Sequence, residues 1–324
     1  MHMLSKNNLS PTVVPLVSIW MLTYNHQDYI QQAIDSVMMQ KTSFPYRLYI
    51  GEDCSTDNTR NICIKYAEKY PGKISLYLNK ENNIVKNAQK IYDECFESGA
   101  KYIAMLEGDD YWTDPYKLQK QVDFLEAHPE YSMCFHKSAI IEGEEPKIRE
   151  YFPTIDQNRT FVLNDFFQYN MACTASVVFR GKLLSPFPEM MLQTAFGDYA
   201  LILHILKSGQ AYFLNEVMSV YKIHAGGINA GTLATVDGQI SNARKHLAFC
   251  ELVKQEISES NKSEKFFEQE SEYRMRLLLL CKKINSFDAY HKENLGMLQH
   301  KGVSWLCEFL LNYPRYFKHR VWSA

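Results

Sequence analysis

The chain has 324 residues, 46% hydrophobic and 13% aromatic, which is enough to bury a large core and excludes a disordered chain. Its 35 Lys and Arg balance 37 Asp and Glu, so neither a broad polyanion-binding surface nor a nucleic-acid partner is expected. The eight cysteines are scattered without C-x-x-C pairs, which excludes a disulfide frame or a zinc site.

Residues up to about Val14 form a lead-in without periodicity. Leu16 to Thr23 (LVSIWMLT) predicts a strand that ends in the polar turn Tyr24-Asn25-His26-Gln27-Asp28. From Tyr29 to Met39, apolar residues at Ile30, Ala33, Ile34, Val37 and Met38 have helical spacing. Tyr46 to Ile50 is a second strand, running into Gly51-Glu52-Asp53-Cys54-Ser55-Thr56-Asp57. Ser55, Thr56 and Asp57 offer N-caps for a helix to about Tyr70, stopped by Pro71-Gly72. Ile74 to Leu78 is a third strand and Asn87 to Glu97 a third helix. Tyr102 to Leu106 is a fourth short apolar strand, breaking abruptly into Glu107-Gly108-Asp109-Asp110. Tyr116 to His128 is then a helix ending at Pro129.

Strands alternating with helices imply βαβ units and a mostly parallel sheet, whose carboxyl ends share one edge. Asn25, Asp53 and Asp109 all fall just past such ends, which points to a nucleotide or sugar-phosphate site. Three acids within Glu107 to Asp110 repel one another, and a hard divalent cation, Mg²⁺ or Mn²⁺, would relieve them. The alternative is an acidic turn with its carboxylates in water.

Beyond Tyr131 the pattern loosens. Tyr131 to Ser138 and Thr174 to Phe179 read as strands, Glu142 to Asn158 as a loop, and Phe187 to Phe196 as an irregular flap. Asp198 to Ser208 is a helix stopped by Gly209, and Val217 to Ile223 a strand running into His224. From about Thr235 the chain is helical and charged, ending in SWLCEFLLNYPRYFKHRVW. That tail is read as a terminal helix packed on the domain, with a peripheral contact to an anionic membrane surface as the alternative. MHMLSKNNLS lacks the apolar core of a signal peptide, and no apolar run approaches a membrane span. The expectation is a cytoplasmic protein.

Taken in order, these clusters resemble the family 2 glycosyltransferases of the GT-A fold, over roughly residues 15 to 230. Val17 to Asn25 is similar to the family's first strand and Thr-Tyr-Asn turn, and Glu52 to Asp57 to its Asp-Asp-Gly-Ser-Thr-Asp loop. Asn83 with Lys86 and Asn87 is similar to its donor-binding segment, and Glu107 to Trp112 to its metal motif. Gly197-Asp198 is similar to its catalytic acid segment, and Tyr221 to His224 to the strand and histidine closing the site. Leu22, Glu52 and Cys54 depart from the usual Pro, Asp and Gly, and no Gln-x-x-Arg-Trp of processive synthases occurs.

The resemblance implies an α/β GT-A domain over 15–234, with a nucleotide-sugar half at 15–130 and an acceptor half at 131–234, between a 1–14 lead-in and a 235–324 helical extension. It implies an inverting, single-addition transfer from a nucleotide sugar, UDP-sugar favoured, to a glycan or lipid-linked glycan, with Mn²⁺ or Mg²⁺ as cofactor. Asp53 would read the base ring, Thr23, Tyr24 and Asn25 would line the nucleoside pocket, and Asn83, Lys86 and Asn87 would meet the donor. Asp109 would face the ribose and metal, Asp110 would coordinate the cation directly, and His224 would be a further ligand. Asp198 would be the general base, charged at a helix N-terminus. Trp112 would stack on the sugar or wedge under the metal loop. A sugar-1-phosphate nucleotidyltransferase would want a glycine-rich basic loop after the first strand, and Thr23 to Asp28 has no Gly, Lys or Arg. A non-catalytic binding or scaffold protein of the same fold is the other alternative.

Overall fold

In Val17–Thr23 (VSIWMLT) both faces of the pleat are apolar or small, and the whole strand is buried. Such a segment belongs in the middle of a sheet covered on both sides. The computed structural model describes residues 2–3, 13–143, 147–167, 169–185, 187–224, 226–227 and 235–256. The strands are β1 (His2–Met3), β2 (Val17–Thr23), β3 (Tyr46–Glu52), β4 (Ile74–Leu78), β5 (Tyr102–Met105) and β6 (Tyr111–Trp112). They continue with β7 (Tyr131–Glu142), β8 (Ile148–Phe152), β9 (Arg159–Phe161), β10 (Val178–Arg180) and β11 (Gln210–Ile223). The helices are α1 (Ile30–Met38), α2 (Thr59–Lys69), α3 (Ile84–Glu97), α4 (Lys117–Ala127), α5 (Gly197–Leu206) and α6 (Val236–Glu256). Among the described residues no helix is long and apolar enough to cross a membrane. The expected extension beyond residue 256, with its aromatic tail, lies outside the described residues.

The strands form one sheet in the order β1-β4-β3-β2-β5-β10-β7-β11-β6, with β8 added to β7 and β9 to β11. β4, β3, β2 and β5 run parallel, as the alternation of strands and helices predicts. The second half departs from the mostly parallel expectation. β10 is antiparallel to both β5 and β7, and β11 is parallel to β7 but antiparallel to β6 and β9. The sheet is therefore mixed. The stretch expected as a loop after Glu142 contains β8, an exposed strand antiparallel to β7. The expected strand Thr174–Phe179 begins as a 3-10 turn, Thr174–Ser176, before β10.

Alternation along β2 divides the core. Val17, Ile19 and Met21 join Ile30, Ala33, Ile34 and Val37 of α1 and Leu118, Val122 and Leu125 of α4 in one buried cluster. On the other face Trp20 stacks on Tyr92 of α3 at 5.0 Å, and the Ser18 hydroxyl meets that of Ser98 at 2.8 Å. Gly51 lets α3 approach β3, because a Cβ there would collide with the side chains of Asn87 and Ile91.

The chain divides into two compact units. Met1–Phe166, Asn170–Leu192 and Leu201–His224 make up one, and Phe167–Tyr169, Gln193–Ala200 and Ala225–Ala324 the other. Within the second unit Phe196 packs on His246 and Phe249 of α6, and Tyr199 on Phe249.

Candidate active site

From β2 the chain crosses through α1 to β3 on one side, while β5 lies on the other. The carboxyl ends of β2 and β5 thus flank the switch point where open α/β sheets take ligands. Two loops meet there, Thr23–Asp28 and Leu106–Asp110. Gly108 makes the approach possible: its amide donates to the Leu22 carbonyl at 2.9 Å, and a Cβ would stand 2.7 Å from Thr23 Oγ1 and 2.9 Å from His26 Nδ1. The third participant arrives through β6, whose Trp112 and Tyr111 pair with Ser219 and Val220 of β11. That pairing carries His224, one residue past β11, to the acidic loop.

There His224 Nε2 lies 3.0 Å from Asp109 Oδ2, and His26 Nε2 lies 3.6 Å from the same oxygen. One donor atom from each of His26, Asp109 and His224 is within 4.8 Å of the other two, a group able to hold a metal ion. Burial pushes the His26 imidazole down, against the Asp109 charge, which raises it. Burial also raises the Asp109 carboxyl, but the His224 hydrogen bond and the two imidazoles outweigh it and hold Asp109 below the usual carboxylate range. Imidazole nitrogens and a carboxylate oxygen are ligands that divalent metal ions take. The donor set therefore fits a divalent cation.

Asp110, expected to coordinate directly, is not in that group. Its carboxylate is only 2% exposed and its Oδ1 accepts from the Lys222 backbone amide at 3.0 Å. Burial, and then the Asp109 charge, drive its pKa well above the ordinary value. The Lys222 bond ties the acidic loop to β11. Trp112 takes the wedge alternative: its ring is buried, Nε1 donates to the Ala175 carbonyl at 2.8 Å, and the Lys117 ammonium sits 4.2 Å above it.

Next along the chain from the cation group, the turn at Asn25 and the loop at Asp53 form a hydrogen-bonded polar cluster. Asn25 takes a left-handed conformation (φ 54°), which Asn tolerates better than most residues. Its Oδ1 accepts from the Thr56 amide at 2.8 Å, and its own amide donates to Ser55 Oγ at 3.0 Å. Asp53 is 3% exposed and accepts from Asn79 Nδ2 at 2.8 Å and from the Asn83 amide at 3.1 Å on both oxygens. A carboxylate offers about four acceptor positions, so these bonds fix its plane without exhausting it. Thr23 is buried and its carbonyl accepts from the Asp53 amide at 3.0 Å, while Tyr24 is 39% exposed. Glu52, fully buried, is paired with Arg60 and accepts from the Ser55 amide at 2.6 Å.

The expected donor segment divides. Asn83 caps α3, its Oδ1 accepting from the Lys86 amide at 3.1 Å. The Lys86 ammonium pairs with Glu81 at the surface, at 2.9 Å. Asn87 points inward, donating to the Gly51 carbonyl at 3.0 Å, and is 1% exposed. Its place is a strut between α3 and β3.

The sequence model described as Glycosyl transferase family 2 matches residues 18–184, just over half the chain. The chain belongs to glycosyl transferase family 2. An uncharacterized Mycobacterium tuberculosis protein, Rv1520, is 35% identical over 212 residues, 65% of this chain and 60% of the relative. The match thus spans less than two thirds of that protein's length. The Escherichia coli enzyme WfaP, a UDP-Glc:alpha-D-GlcNAc-diphosphoundecaprenol beta-1,3-glucosyltransferase, is 30% identical over 223 residues, 66% of this chain and 80% of WfaP. Among solved structures, the mannosyltransferase PcManGT from Pyrobaculum calidifontis, in complex with GDP-Man and Mn²⁺, superposes with a TM-score of 0.54 at 15% identity, covering 96% of this chain and 84% of that one. The fold is GT-A.

In this family 2 chain Asp198 stands in the first turn of α5, half-buried. His26 was not among the expected site residues, although it follows the Thr-Tyr-Asn turn. The signal available was its place at the same sheet edge as Asp109 and His224.

Proposed function

We propose that this chain is a metal-dependent, inverting glycosyltransferase that moves a single sugar from a nucleoside diphosphate sugar to an acceptor hydroxyl in surface glycan assembly. The observation that carries the reading is the convergence, in a family 2 chain, of Asp109, His26 and His224 at the sheet edge that also carries Asp53 and Asn25. UDP-sugar is the favoured donor, in keeping with the donor in WfaP's name, and GDP-sugar is the comparison to run against it. A lipid-linked glycan acceptor, again in keeping with that name, would set the reaction at the cytoplasmic face of a membrane.

The chain's own residues divide the work. Asp53 accepts the ring N–H of the base, with Thr23, Tyr24 and Asn25 around the nucleoside. Asp109, His26 and His224 would hold the cation, and Mn²⁺ or Mg²⁺ bound there would supply compensation for charge on the leaving diphosphate. Asp198 takes the proton of the acceptor hydroxyl as that oxygen bonds to the anomeric carbon from the face opposite the breaking C–O bond, so that the nucleoside diphosphate leaves and the configuration inverts.

The test is slow hydrolysis of a panel of UDP-, GDP- and dTDP-sugars in Mn²⁺, read as nucleoside diphosphate release. One donor should be turned over by the wild type and spared by Asp109→Asn. A protein that turns over none of them, or turns them over equally in EDTA, would remove the reading.

A further inference from the structure

We propose that His26 is a third protein ligand of the cation, so that this site takes a transition-metal ion, Mn²⁺ ahead of Mg²⁺, before any nucleotide sugar arrives. The inference deepens the functional reading above and rests on it for the site's purpose, but its test needs no nucleotide.

The His26 backbone is fixed on both sides. The turn at Asn25 swings the chain around, the His26 amide donates to Thr59 Oγ1 at 2.8 Å, and its carbonyl accepts from the Tyr29 and Ile30 amides at 2.9 and 2.8 Å. The ring is 16% exposed and stands edge-on to His224, with centroids 6.1 Å apart. Ligand atoms sharing an ion at about 2.1 Å stand roughly 3.0 to 3.4 Å from one another. The 3.0 and 3.6 Å separations of the two imidazole nitrogens from Asp109 Oδ2 are at that scale.

Donor chemistry then selects the ion. Two imidazoles and one carboxylate with open positions suit Mn²⁺, Fe²⁺, Co²⁺ or Zn²⁺, whereas Mg²⁺ prefers oxygen ligands and keeps its waters. A site of one or two carboxylates binds Mg²⁺ mainly together with substrate phosphates. Three donors held by separate segments, the β2 turn, the acidic loop and the end of β11, do not depend on that contribution. The competing arrangement is a hydrogen-bonded His–Asp–His cluster with no affinity for an ion alone.

The experiment is a titration of the full chain, stripped with EDTA, with MnCl₂ in the absence of nucleotide, read by the disappearance of the free Mn²⁺ EPR signal. One equivalent should bind, Mg²⁺ should compete poorly, and His26→Gln should weaken Mn²⁺ by at least about tenfold, the scale on which even outer partners of a metal site act. Pulsed EPR of the wild-type complex should resolve nitrogen from two imidazoles, which keeps the test independent of whether the variant folds. Mn²⁺ uptake only after UDP is added, unchanged in His26→Gln, would overturn the role of His26 and leave the transferase reading standing. Nitrogen from a single imidazole would overturn it too. Mn²⁺ bound by the nucleotide-free protein, with no nucleoside diphosphate bound afterwards, would uphold His26 and count against the transferase.

Discussion

Lys117 is wholly enclosed beneath the acidic loop, its ammonium over the Trp112 ring and without a hydrogen-bond partner. Burial lowers its pKa from 10.5 to about 7. The ring's attraction for a cation opposes that shift, but at about 1 to 2 kcal/mol it does not offset full enclosure. The unfolded lysine keeps its proton up to about 10.5, so between 7 and 10.5 the unfolded state binds more protons and stability rises with pH. Chemical denaturation at pH 7 and pH 9.5 should show that rise in the wild type and none in Lys117→Met. At pH 7 the variant should be more stable, by about 1 to 3 kcal/mol. Arg60 and Glu52 form the opposite case, a buried carboxylate with its partner in place. Arg60→Ala should cost about 3 to 5 kcal/mol in the same assay, since it strands Glu52. A loss under 1 kcal/mol would mean that the Ser55 amide suffices.

At the scale of elements, hydrophobic period made β2, β4 and α1 legible to within a residue or two, because each has a buried face with one clear periodicity. β8 was not legible, since Ile148–Phe152 is largely exposed and has no such face. The start of β11 was hidden by the polar Asn215-Glu216 pair, where its register to β7 shifts between Leu214 and Val217. The same limit decided the metal loop. Asp109 and Asp110 are neighbours of one chemical type in a turn, with the Asp110 amide on the Glu107 carbonyl at 3.3 Å, and a turn has no periodicity from which side-chain direction can be read. Only the pairing of β6 with β11, a contact between residues more than a hundred apart, turns Asp109 to the cleft and Asp110 to the Lys222 amide. Gly108 tests this assembly. Gly108→Ala should push apart the β2 turn and the acidic loop, destabilise the fold by about 1 to 3 kcal/mol and weaken Mn²⁺ binding, as thermal unfolding with and without the ion would show.

On the scale of the whole molecule, a parallel half carries Asn25, Asp53 and Asp109 at its strand ends, and a mixed half built on the parallel pair β7 and β11 brings His224 to Asp109. The family was legible because its motifs lie at strand ends, where spacing and chemistry coincide; the mixed sheet was not, because strand direction in the second half depends on long-range pairing. Asp198→Asn should retain donor binding and lose transfer, and near-normal turnover would remove Asp198 as the base. The most direct measurement of the central claim is calorimetric titration of UDP and GDP into the full chain, in Mn²⁺ and in EDTA. The account predicts one nucleoside diphosphate bound in Mn²⁺, weakened severalfold or more in EDTA and by Asp53→Ala. Equal heats with and without the ion, or no binding of either nucleotide, would contradict it.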